Sequence, residues 1–122
     1  MKQIVVVATG SEVSVAIAAA KLFGGGARVV SMPCMSEFLR QDESYRSSVL
    51  PSGIAVLAVE AASTSGWSSI AHYVHGIDRF GASAPAPEVF KDCGMTADNV
   101  LITMKKLLVR FPPGHAPATG SL

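Results

Sequence analysis

The stretch Ile4 to Ala8, IVVVA, is an unbroken apolar run dominated by β-branched residues, with no polar side chain to turn toward water. A run of this kind is a strand covered on both faces, and covering both faces of a strand calls for helices above and below a parallel sheet. The same pattern returns at Arg28 to Met32 and at Ile54 to Val59, with helix-length segments between. Ser11 stands where it can cap the first helix, whose apolar positions Val13, Ile17, Ala20 and Leu22 recur near the helical period. Glu12 lies in the first turn, where the helix dipole favours an acid. Gly24-Gly25-Gly26 ends that helix by supplying positive φ without steric cost. Strand, helix and strand then form a βαβ unit with the right-handed crossover such units take.

Further along, SEFLRQDESYRSSVLP is helical in outline, with Asp42 as N-cap and Pro51 as stop. Tyr73 to Ile77 has the length of a short fourth strand, and Ala86 to Lys91 forms a brief helix behind Pro85. Thr96 caps a final helix from Ala97 to Arg110, with Val100, Leu101, Met104, Leu107 and Leu108 on its apolar face. The expected fold is therefore α/β, a single three-layer domain with an open, mostly parallel sheet of about five strands and helices on both faces. Residues 1–110 make up that domain, and the Pro/Gly-rich segment 111–122 is expected to be a disordered tail.

Composition narrows the function. At 122 residues, 49% of them hydrophobic, the chain has the size of one compact domain with a real core. Ten Lys and Arg against nine Asp and Glu, with no basic block and 7% aromatics, argue against nucleic acid and against an anionic membrane as partners. No apolar run approaches the roughly 20 residues of a membrane span. Cys34 and Cys93 are far apart with no C-x-x-C pairing, so a reducing, cytoplasmic setting fits, with an organellar one also open. The last residues read Gly-Ser-Leu rather than Ser-Lys-Leu, which speaks against a peroxisomal address.

In open α/β sheets ligands gather at the carboxyl ends of the strands, so the residues to weigh are Thr9, Gly10, Ser11, Glu12, Cys34, Glu60, Arg79 and Ser83. Thr9-Gly10-Ser11 has the parts of an anion site: a strand end, a glycine and helix N–H groups. It matches neither G-x-G-x-x-G nor G-x-x-x-x-G-K-[ST], and Glu12 would repel a phosphate. It is read chiefly as a strand-to-helix turn with a capping serine. Thr9, Gly10, Ser11, Glu60, Arg79 and Ser83 remain candidates for an anion or regulatory contact. Glu60 is either a ligand contact or a cap for the loop that follows.

His72 and His75 are three apart, a spacing that faces opposite sides of a strand and supplies two of the three or four ligands a metal needs. They are read as polar loop histidines. Ser83, His75 and Asp78 are the makings of a hydrolytic triad, but the G-x-S-x-G elbow is missing. Cys34 is read as a small packing residue, and Trp67 as a ring that anchors its small-residue loop or fills an interface. No catalytic, cofactor-binding or metal-binding residue is assigned.

Taken together, ATGSEVSVAIAAAKL, ARVVSMPCMSEFLRQDESYRSSVLP, VEAASTSGW and HGIDRFGASAPAPEVFKDCGMTADNV resemble the carboxyl-terminal domain of transketolase, in order and at similar spacing. Q-D-x-x-Y-R-x-S-V-L-P and D-R-F-G-A-S-A-P are the most telling pieces. The connection at Gly24-Gly25-Gly26 is shorter than the family pattern. The resemblance implies a homodimeric transferase that uses thiamine diphosphate and a divalent metal, Mg or Ca. Such an enzyme moves a two-carbon ketol unit from ketose phosphates to aldose phosphates in the pentose phosphate pathway.

The resemblance also implies that cofactor and metal are held by other domains, one bearing G-D-G, and that this chain is an inactive, dimer-supporting or regulatory piece. Met1 directly before a buried strand suits a carboxyl-terminal fragment of such a protein. The alternative is an autonomous α/β module that binds a nucleotide or phosphometabolite at the strand ends.

Overall fold

The computed structural model describes residues 2–60, 66–76 and 94–119. Within them run β1 (Ile4–Ala8), α1 (Glu12–Phe23), β2 (Ala27–Ser31), α2 (Met35–Leu39), α3 (Glu43–Val49), β3 (Ala55–Glu60), β4 (Tyr73–Gly76) and α4 (Ala97–Arg110). A short 3-10 turn, Trp67–Ser69, precedes β4. The described strands form a four-stranded sheet in the order β2-β1-β3-β4, and every pairing is parallel. β1 is central, with Ile4 level with Ala27 on one side and Ala55 on the other.

Alternation along β1 divides the core in two. Ile4, Val6 and Ala8 face Ala16 and Ala19 of α1 and Val100, Met104 and Leu107 of α4. Val5 and Val7 face Phe38, Trp67 and Ile70 on the opposite side. All five β1 side chains are buried, as a strand with both faces covered requires. This is the expected three-layer arrangement. Trp67 is 5% exposed and anchors its turn in the second cluster.

Local chemistry explains the helix ends. Asp42 accepts from Tyr45 N at 2.8 Å, and Thr96 accepts from Asn99 N at 3.3 Å, each satisfying an otherwise orphaned helix donor. Gly24 closes α1 at φ 104°, and its N–H reaches Ala20 O. The Q-D-x-x-Y-R-x-S-V-L-P motif thereby acquires a structural meaning. Beyond the Asp42 cap, Arg46 Nε donates to Gln41 O at 3.1 Å, and Ser48 Oγ donates to Tyr45 O at 2.6 Å. From β2, the Arg28 guanidinium donates to Ser48 O and Val49 O, where the last carbonyls of α3 favour a cation.

Four expectations are corrected. Ile17 and Leu22, read as core positions of α1, are 42% and 54% exposed, and α1 turns Ala16 and Ala19 inward instead. Small side chains let the helix axis lie close to the sheet, while AIAAAKL is apolar on too many sides for periodicity to select the face. Ser11 does not cap α1, because its own backbone is already helical (φ −67°, ψ −21°) and its side chain cannot reach back to a helix N–H. Cys34 is exposed rather than packed.

The fourth correction concerns the segment after α4. Gly114 N and Ala116 N donate to Gly53 O at 2.9 and 3.2 Å, and Ala116 is 9% exposed. Over 112–119 the chain is thus seated on the 51–54 loop, held by backbone bonds that no side-chain pattern announces. The expected helix Ala86 to Lys91, the end of the fourth strand at Ile77, and Asp78, Arg79, Ser83 and Cys93 lie outside the described residues.

Candidate functional site at the carboxyl ends of the strands

The chain passes from β1 outward to β2 and then back across β1 to β3, so its direction of travel reverses between β1 and β3. Their carboxyl ends are the switch point where doubly wound sheets open a crevice. Ala8 and Val59 are level there, which brings Thr9 and Glu60 side by side at the rim. Of the six candidates, Thr9, Gly10, Ser11 and Glu60 are therefore gathered at one place, and Arg79 and Ser83 fall outside the described residues.

The turn itself is built for chain reversal. Gly10 sits at φ 61°, in the left-handed region that a side chain disfavours. A Cβ placed on it meets nothing within 4 Å, so its conformation, not crowding, is what calls for glycine. Glu12 N donates to Thr9 O and Val13 N to Gly10 O, each at 3.3 Å. Two of the first N–H groups of α1 are thus already engaged inside the turn. Ser11 Oγ donates to Glu12 Oε2, and Glu12 is buried to 6% exposure in the first helical turn. A carboxylate occupies the neighbourhood that a phosphate-binding loop keeps for its ligand.

Elsewhere, the two histidines are committed to the protein. His75 Nδ1 lies 2.8 Å from Thr103 Oγ1 and Nε2 2.8 Å from Gly94 O, which ties β4 to α4. His72 Nδ1 accepts from Val56 N at 2.9 Å, and Nε2 lies 2.6 Å from Pro117 O. Among the described residues no three His, Cys, Asp or Glu side chains gather as metal ligands. Cys34 stands just before α2 with Sγ 3.4 Å from Ser36 Oγ. That hydrogen bond, helped by the backbone at Glu37, holds its thiol below the usual range, against the opposing charge of Glu37.

Sequence reasoning passed over the opposite end of the sheet. There a cavity of ≈ 230 Å³ is walled by Phe38, Leu50, Ile54 and Ile70, by Arg46, and by the chain at Pro117. Only Pro51, read as the stop of the preceding helix, marks the place in the sequence.

A sheet whose described strands are all parallel, layered on both faces and with a glutamate filling the first turn at its switch point, defines a doubly wound α/β domain whose switch-point turn is not a phosphate loop. Residues 1–96 match the model of the transketolase-like carboxyl-terminal domain. The chain belongs to the transketolase family, and the part of the family it represents is that domain.

It is 49% identical over 100 residues to the transketolase of Scheffersomyces stipitis, which takes in 80% of this chain and 15% of the relative. With transketolase 1 of Saccharomyces cerevisiae it shares 46% over 111 residues, 88% of this chain and 16% of the relative. The solved transketolase from Leishmania mexicana superposes with a TM-score of 0.90 at 47% identity, over 98% of this chain and 18% of that one. The chain thus spans about a sixth of the length of the curated relatives it matches.

Proposed function

We propose that this chain is the dimer-supporting carboxyl-terminal domain of a cytoplasmic transketolase. The whole enzyme transfers a two-carbon ketol unit from ketose phosphates to aldose phosphates in the pentose phosphate pathway. Thiamine diphosphate with Mg or Ca supplies the carbanion chemistry of that transfer. The residues described here do not fit such a group, since no metal-ligand cluster forms among them and the switch-point turn carries Glu12. The cofactor is accordingly assigned to the remainder of the parent protein, and no step of the reaction is routed through this domain.

The observation that carries the role is the outer face of α1. Ile17 and Leu22 lie exposed there, and Ile17 shares a shallow depression with Ala27 and Val29 of the edge strand β2. Because the relatives are several times longer than this chain, the occupant proposed for that face is the neighbouring domain of the same polypeptide. Changing Ile17→Lys and Leu22→Lys together tests this. The isolated chain keeps its stability to within about 0.5 kcal/mol, as surface substitutions do. The parent enzyme loses thermal stability and dimerises more weakly, and an unaltered parent would sink the assignment. Calorimetry of the isolated chain with thiamine diphosphate and Mg is expected to show no binding, and measurable affinity would refute the placement of the cofactor.

A further inference from the structure

His72 stands between two partners whose chemistry fixes its protonation. Val56 N–H can only donate, and it points at Nδ1 from 2.9 Å. The Pro117 carbonyl can only accept, and it lies 2.6 Å from Nε2. The ring that satisfies both is neutral, with its proton on Nε2 and a lone pair on Nδ1. The backbone of His72 also donates to Val56 O at 2.8 Å, so backbone and ring together grip Val56 at the start of the β3–β4 pairing. His75 differs in that one partner is a hydroxyl, Thr103 Oγ1, which can accept from or donate to the ring. Either charge state of His75 is therefore accommodated.

We propose that His72 is an acid-sensitive latch, which holds the segment Pro112 to Thr119 against the amino end of the sheet while neutral and releases it when protonated. A second proton, on Nδ1, sets one N–H against another at Val56 and forces the ring away. Nε2–H leaves Pro117 O with it. With that fastening gone, the Gly114 and Ala116 bonds to Gly53 O open more often, and the wall that Pro117 gives to the cavity swings away.

Charged groups around the ring come from each packed element. Glu43 and Arg46 of α3 line the same cavity, and His115 is carried by the segment itself. From the end of α4, the Phe111 ring lies 5.5 Å from His72, with the Arg110 guanidinium 5.3 Å from the Phe111 centroid.

The test is amide hydrogen exchange by NMR on the full chain from about pH 8 to about pH 5, the range histidine titrates in, with the His72 ring protons followed in the same samples. After correction for intrinsic exchange, protection of the Gly114 and Ala116 amides is expected to fall about tenfold or more as the His72 ring titrates. Val100, inside α4, stays protected. His72→Gln, whose amide can accept from Val56 and donate to Pro117 without titrating, removes the pH dependence. Protection of Gly114 and Ala116 that stays constant through the ring's own titration overturns the latch. So does an equal loss in His72→Gln.

Discussion

The turn after β1 and the amino end of the sheet are built on opposite plans. At the carboxyl end, the turn after β1 is held from within by the left-handed Gly10, by short-range bonds to Thr9 O and Gly10 O, and by the Ser11 contact to a buried Glu12. At the amino end, the fastenings join residues far apart in the chain: Gly53 to Gly114 and Ala116, and His72 to Val56 and Pro117. Local fastenings survive when a neighbouring element moves, whereas long-range ones tie separate segments into one cooperative unit. The turn at the end that doubly wound folds use for ligands is thus held by short-range bonds, and the end they leave alone is laced together across the chain.

Removal of 112–122 should strike the amino end hardest. It takes away the bonds to Gly53 O and His72 at once, and at about 1 kcal/mol per hydrogen bond the expected loss is about 3 kcal/mol, measured by urea unfolding. A loss near zero would mean that the lacing is decorative. At the carboxyl end, Gly10→Val forces a β-branched side chain into the left-handed region at an expected cost of about 2 kcal/mol. Gly10→Ala should cost about half of that, and an equal cost for the two would show that crowding governs the turn.

Asp42→Ala and Thr96→Ala, which lie at neither fastening, should each cost about 1 kcal/mol through the lost cap. The smallest effect belongs to Cys34 and is read as a rate. Because its thiol is held low, more thiolate is present at neutral pH than for an ordinary cysteine, and alkylation runs faster. Ser36→Ala takes away the largest cause and should slow alkylation at neutral pH, while at a pH well above the thiol's range the two proteins should react alike.

Much of the turn after β1 and of the helix caps was legible in the sequence, because those devices are local. The β-branched run of β1, the glycine after it, and the Asp42 and Thr96 caps all act on residues within a turn of themselves. The span Ala97–Arg110 came out as the spacing predicts, since α4 has a single apolar stripe. α1 was harder to orient, because AIAAAKL has alanines on every side and the larger Ile17 and Leu22 draw the eye to the wrong face. The misreading of Ser11 has a similar origin: a serine before a helix matches the cap pattern, and only its backbone angles show that the helix has already begun. The amino end was illegible for a different reason. Its bonds run through the Gly53 and Pro117 carbonyls and one imidazole, and carbonyls leave no trace in a pattern of side chains.

Arg28 gives the edge strand a property of its own. Charged side chains that stand free on an outer strand act as sentries that keep one sheet from adding to another. In β2, ARVVS, the one charge is spent on the Ser48 and Val49 carbonyls behind the sheet, and the neighbouring valines are half-buried. With its sentry posted indoors, the strand, outermost among the described ones, offers a short, neutral template to any extended segment that meets it. Severed from its neighbours, such a domain is disposed to self-associate through β2, and its solubility depends on what lies against that border.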